Sequence, residues 1–334
     1  MSDVKRYVAI DGLRAFAAVG IVSMHVMTNG GFILPDPVHR VIGSMGEFVY
    51  LFMAVSGFSM CCGYYDRMLS GNVSIVDFYK RRFSKAFPFF ALLCLIDFAI
   101  NPSLHSIFEV FANLTLCFGL LPNPTMSVVG VGWFLGLVFV FYLLFPFYCF
   151  LLANKKRAWI SFAIALVYNY LCSSYFFNDA HVVAGFDYRT NILYCSVFFL
   201  LGGLIFLYRF KLAEIVENHI FIPALIAFFG CASIVSFGMN CFGGLCAVAG
   251  LICIAIKTRP LLCLNNAITL FLSGISLEIY LSHMMCFRIV QRLSGSFLLG
   301  GSWVSYLISL AVVLFLSSCF ALGFKRVTKR FGTR

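Results

Sequence analysis

The sequence predicts an all-α integral membrane protein with about ten transmembrane helices and both termini in the cytoplasm. Three observations carry this reading. Hydrophobic residues make up 62% of the chain and charged residues only 11%, with a mean hydropathy of +0.97, which is too little charge to cover a water-exposed surface. Apolar runs of about 20 residues, the length that crosses about 30 Å of hydrocarbon, recur along the chain. Basic residues gather in short groups between alternate runs, the pattern that orients membrane proteins. A bilayer offers no water to unpaired amides, so such runs are helices.

The runs lie near 7–28, 45–65, 86–101, 128–152, 158–177, 190–208, 220–237, 242–257, 266–290 and 302–324. With the N-terminus inside, Lys5 and Arg6 fall on the cytoplasmic side, followed by Arg67, Lys80, Arg81, Arg82 and Lys85. Lys155, Lys156, Arg157, Arg209, Lys211, Lys257 and Arg259 follow, then Lys325, Arg326, Lys329, Arg330 and Arg334. These are most of the 24 basic residues. Counting His105 to Leu121 as a span would put Lys155, Lys156 and Arg157 outside, so that segment is expected to be an outer-side helix dipping into the interface. The first run is not a cleaved signal: Asp11 and Arg14 interrupt it and no small-residue cleavage site follows. One membrane domain over residues 1–334 is expected, without a fused extracytoplasmic domain.

The net charge of +11 does not point to nucleic acid, because the basic residues form no continuous stripe. The 14 cysteines contain no C-x-x-C and scatter through apolar runs, where Cys behaves as a small hydrophobe. They imply neither a disulfide framework nor a metal site.

Ionisable groups inside a span are costly, so each is a functional candidate. The first helix carries Asp11, Arg14 and His25. Arg14 and His25 are eleven residues apart, which is about 16 Å of rise and only about 20° of rotation. They share a face, and Asp11 sits one turn from Arg14 and can pair with it. The plain alternative is a structural ion pair plus a hydrogen-bonded histidine. In the ninth run, Tyr280 and His283 share a side, with His283 at about the depth of His25; either histidine could be a general base. Arg81, Arg82 and Lys85 form a basic group at the cytoplasmic edge that suits a ligand with several phosphates. Their plain reading is a topology anchor.

These residues carry a family resemblance. Arg14 and His25, set within Ile10-Asp11-Gly12-Leu13-Arg14-Ala15, resemble the first-helix signature of acyltransferase family 3, bacterial membrane enzymes that O-acetylate surface polysaccharides. Phe52-Met53-Ala54-Val55-Ser56-Gly57-Phe58 is similar to that family's second-helix motif, and Arg81-Arg82-Phe83-Ser84-Lys85 with Pro88 to its basic loop. Trp133-Phe134-Leu135 with Phe141 to Pro146 resembles its fourth-helix motif, and Ser276 to His283 its late one.

The resemblance implies acetyl-CoA as a cytoplasmic co-substrate, with no bound cofactor. The implied acceptor is a polysaccharide or lipid-linked oligosaccharide, lipopolysaccharide O-antigen first, and the implied location the bacterial inner membrane. His25 is then the expected base and Arg14 the group that positions the donor or stabilises developing charge. Arg81, Arg82 and Lys85 would bind the donor, and Asp11, Ser56, Trp133, Tyr280 and His283 would support. Two other readings fit the residues: a proton-coupled transporter using Asp11, Arg14, His25 and Glu278 as a relay, and a haem protein with His25 and His283 as axial ligands.

Overall fold

The computed structural model describes residues 7–121, 126–183, 185–294 and 301–331. Lys5, Arg6 and Arg334 lie outside them. In chain order the helices are α1 (Val8–Gly30), α2 (Asp36–Ser44), α3 (Phe48–Met60), α4 (Asp66–Leu69), α5 (Ile75–Ile100), α6 (Leu104–Thr115) and α7 (Trp133–Leu152). They continue with α8 (Lys155–Leu171), α9 (Ile192–Asn218), α10 (Phe221–Phe237), α11 (Cys241–Ala255), α12 (Ala267–Gly274), α13 (Ser276–Ser294) and α14 (Trp303–Phe331). No strand occurs among the described residues.

Among the described residues, seven helical segments are long and apolar enough to cross a membrane. The pair α12–α13, bent by 73°, makes an eighth if taken as one span, and α10 and α11 are two shorter apolar helices of 17 and 15 residues. The ninth run is thus a broken helix rather than a straight one. Non-helical backbone at such a break is tolerated in a membrane when a neighbouring helix satisfies its freed polar groups. Here Lys325 on α14 donates to the Gly274 carbonyl at the break.

The basic group of residues 80–85 also differs from expectation. It is helical, lying in the first half of the 26-residue α5, not in a loop. Ser74 caps that helix by accepting from the Asp77 amide at 3.0 Å. Residues 105–121 fall on the twelve-residue α6, which begins at Leu104 and is too short to cross, and on a turn at Phe118–Leu120 that follows it. Leu104, Ile107, Phe108 and Phe111 of α6 are exposed, as an interfacial helix requires.

α1 runs through the middle of the bundle, touching α2, α3, α11, α12, α13 and α14. Its small residues Ala9, Ala15, Ala17 and Ala18 are buried, which lets those neighbours approach. α3 and α9 meet at another small-residue contact, where a methyl group on Gly202 would collide with the Ala54 carbonyl. α10 and α11 pack side by side at the periphery, leaving Phe228, Phe229, Phe237 and Phe242 exposed to the surroundings.

Candidate functional site

One end of the bundle collects cations. Arg14 Nη1 lies 3.0 Å from Asp11 Oδ1, the pair that their spacing predicts. Lys85 stands within the electrostatic reach of Arg82, Arg14, Glu278 and Lys325. Arg82 donates to the Tyr64 hydroxyl at 2.8 Å and its guanidinium lies 4.9 Å from the centre of that ring. Arg82 and Lys85, three apart on α5, therefore turn to one side. Arg81 is exposed and makes no side-chain bond among the described residues. Glu278, whose role the sequence leaves open, pairs with Lys325 at 3.0 Å. At this end the cations outnumber the carboxylates, which suits a polyanionic ligand.

Toward the other end of α1 lies a pair of histidines. The rings of His25 and His283 have centroids 5.1 Å apart. His283 is wholly buried, and its Nδ1 sits 2.6 Å from the Tyr280 carbonyl oxygen. A carbonyl only accepts, so Nδ1 carries the proton and Nε2 the lone pair. Nε2 is buried without a partner among the described residues. His25 is only half-buried, so of the two it is the ring a bulky ligand can reach.

The segment 126–132 before α7 is held from several sides. Asp97 on α5 accepts from the Val129 amide at 2.8 Å and from Arg288 on α13 at 3.0 Å. Glu109 on α6 accepts from the Ser127 hydroxyl and from the amides of Ser127 and Val128. The Tyr280 hydroxyl donates to the Val131 carbonyl at 2.9 Å. Val129 has φ +50°, a left-handed conformation that a β-branched residue adopts only when its surroundings over-determine it. Burial raises the Glu109 carboxyl, but the bonds from Ser127 and Val128, with His105 beside it, outweigh that and hold it below its ordinary value. Through Tyr280, this clamp reaches the helical turn that presents His283.

Of the expected site residues, Asp11, Arg14, Arg82 and Lys85 belong to the cationic end, and His25, Tyr280 and His283 gather at the other. Trp133 begins α7 at that second end, with the Arg189 guanidinium 5.5 Å from its ring centre. Ser56 is half-buried on α3 and joins neither group by a hydrogen bond among the described residues. The sequence reading leaves out Glu47, Asp97 and the Asp187–Arg189 pair. The rule that marks Asp11, a charge inside an apolar run, applies equally to Glu47 and Asp97.

The acyltransferase domain family matches residues 7–322 of this chain. A curated protein of Rhizobium radiobacter described as protein 2 in the picA locus is 31% identical over 91 residues, 27% of this chain. The match spans 44% of that relative, less than half of its length. No solved structure matches. With the family match running over nearly the whole chain, from the start of α1 into α14, this multi-pass membrane protein belongs to acyltransferase family 3.

Proposed function

We propose that the protein is an O-acetyltransferase that takes the acetyl group of cytoplasmic acetyl-CoA and passes it to a sugar hydroxyl of a surface polysaccharide. Lipopolysaccharide O-antigen is the first candidate acceptor, and the bacterial inner membrane the setting. One observation carries the reading: a single central helix bears Arg14 beside a cationic mouth and, about 16 Å further on the same face, a reachable histidine. A donor with phosphates at one end and a thioester at the end of a long arm fits that interval. The cationic end then faces the cytoplasm.

In this reading Arg82 and Lys85 hold the donor phosphates. Arg14, tied to Asp11 on the side away from His25, positions the donor arm rather than the reacting carbonyl. His25 removes the proton of the sugar hydroxyl as its oxygen attacks the thioester carbonyl. The tetrahedral intermediate collapses by breaking the carbon–sulfur bond, and the protonated His25 returns the proton to the departing thiolate. The products are the sugar ester and free CoA. His283 backs His25 from within the protein, fixed by Tyr280, which the clamped segment at Val131 positions in turn. The deciding experiment is mass spectrometry of surface glycans with and without the gene. An acetyl increment that depends on the gene supports the reading, and identical glycans from both strains sink it.

A further inference from the structure

The turn between α2 and α3 brings a carboxylate to the level of His25. Gly46 packs so closely on α1 that a methyl group there would stand 2.9 Å from the terminal carbon of Met24, the residue before His25. The next residue is Glu47. The charge of Arg189 reaches both Glu47 and His25. Arg189 is itself held by Asp187 through two nitrogens, at 3.0 and 2.8 Å. Glu47 is different. Its Oε2 is buried and has no hydrogen-bond partner among the described residues. A cavity of about 160 Å³ opens beside it between the α2–α3 turn and α10–α11, lined by Met45, Phe48, Leu51, Met239 and Val248.

A buried carboxylate oxygen without a donor costs several kcal/mol. The lining holds two hydroxyls, but Ser44 donates to the Val41 carbonyl and the buried Tyr50 hydroxyl has no hydrogen-bond partner among the described residues, so neither bonds to Glu47. A ligand with hydroxyl groups supplies the missing donor. We infer that Glu47 is a binding residue for the glycan acceptor, accepting hydrogen bonds from hydroxyls that flank the reacting one. The assignment rests on the acyl-transfer reading above and extends it to an acceptor subsite. It makes the acceptor a polyhydroxylated sugar, oriented by a carboxylate so that one of its hydroxyls falls at His25. The carboxylate does no chemistry: it aligns the hydroxyl, and its loss falls on acceptor binding.

The test uses the full chain in nanodiscs with radiolabelled acetyl-CoA as donor and a set of methyl hexosides as acceptor probes. Glu47→Gln loses the charge-assisted bond and is expected to raise the hexoside KM about tenfold. Its acetyl-CoA affinity should remain at the wild-type value. Glu47→Asp keeps the charge but withdraws it by one methylene, and it should raise the same KM less. A wild-type hexoside KM in Glu47→Gln overturns the subsite. So does a loss confined to acetyl-CoA binding. If Glu47→Gln fails to insert, Glu47→Asp decides alone, and a wild-type KM there is equally fatal. Wild-type protein that labels no hexoside overturns a hexose subsite, while the glycan comparison above judges acyl transfer separately.

Discussion

His283 holds its ring 5.1 Å from that of His25, with Nδ1 committed to the Tyr280 carbonyl and no exposed surface of its own. Two histidines that look interchangeable in the sequence thus differ in access. Only His25 can meet an acceptor, so their substitutions should have different signatures. His25→Ala should lower kcat by about 10²–10⁴ while leaving membrane insertion and acetyl-CoA binding intact. His283→Ala should leave a cavity and reduce thermal stability as well as activity. Transfer assays paired with thermal melts separate the two. If His25→Ala transfers normally and His283→Ala does not, the base lies on α13.

Donor affinity should follow the face of α5 that turns to the cationic mouth. Arg82→Gln and Lys85→Gln should each raise the acetyl-CoA KM several-fold with little change in kcat, and Arg81→Gln should do less, because its exposed side chain makes no bond among the described residues. The KM should also climb with ionic strength in the wild type, as screened phosphate contacts do. Equal effects from all three substitutions would make the group a topology anchor.

Asp97→Ala should destabilise the protein by about 2–3 kcal/mol. It removes the acceptor of a buried amide at Val129 and strands Arg288. Hydrogen exchange should then locate the change at residues 126–132 rather than across the whole fold. Uniformly faster exchange throughout would mean that Asp97 holds the bundle and not this segment.

The same segment should respond to acid. The folded Glu109 carboxyl lies below its ordinary value, so its contribution is complete above that value and is lost as pH falls through the lowered one. Protection of the Ser127 and Val128 amides, measured relative to the intrinsic exchange rate at each pH, should fall on acidification, and Glu109→Gln should remove that dependence. Protection that stays constant with pH in the wild type would show that the clamp does not depend on this charge.

Residues 154–157 and the chain after Lys325 should be cytoplasmic, and Asn178 to Asp187 external. Reporter fusions at these three places check the orientation. Either basic segment appearing outside would invert the proposed donor and acceptor ends.

Local relationships were legible in the sequence and distant ones were not. The Asp11–Arg14 pair follows from three-residue spacing on one helix, and the shared face of Arg14 and His25 from helical arithmetic alone. Asp97 and Arg288 are separated by 191 positions, and no periodicity joins them. The basic group of α5 reads as a loop because its charges interrupt hydropathy, although the Ser74–Asp77 cap before it signals a helix start. The break at Gly274 lies within a single hydropathy run, since a bend changes direction without changing composition. The positive φ of Val129 has no sequence signal, because the partners that enforce it come from α5 and α6.

The brevity of α10 and α11 bears on the membrane itself. Helices of 17 and 15 residues rise about 25 and about 22 Å, against a hydrocarbon thickness of about 30 Å. Hydrophobic mismatch of this kind is met by local thinning of the lipid, at a fraction of a kcal/mol for each ångström. The thinned patch would border the side of the protein where the Glu47 cavity opens between α2–α3 and α10–α11. Headgroups and water would be drawn inward there, so in the proposed reaction a polar glycan would need to sink less far to reach a carboxylate at the depth of His25. The acyl-chain length of the surrounding lipids would then become a determinant of that reaction, acting through bilayer thickness rather than through any contact with the reacting atoms.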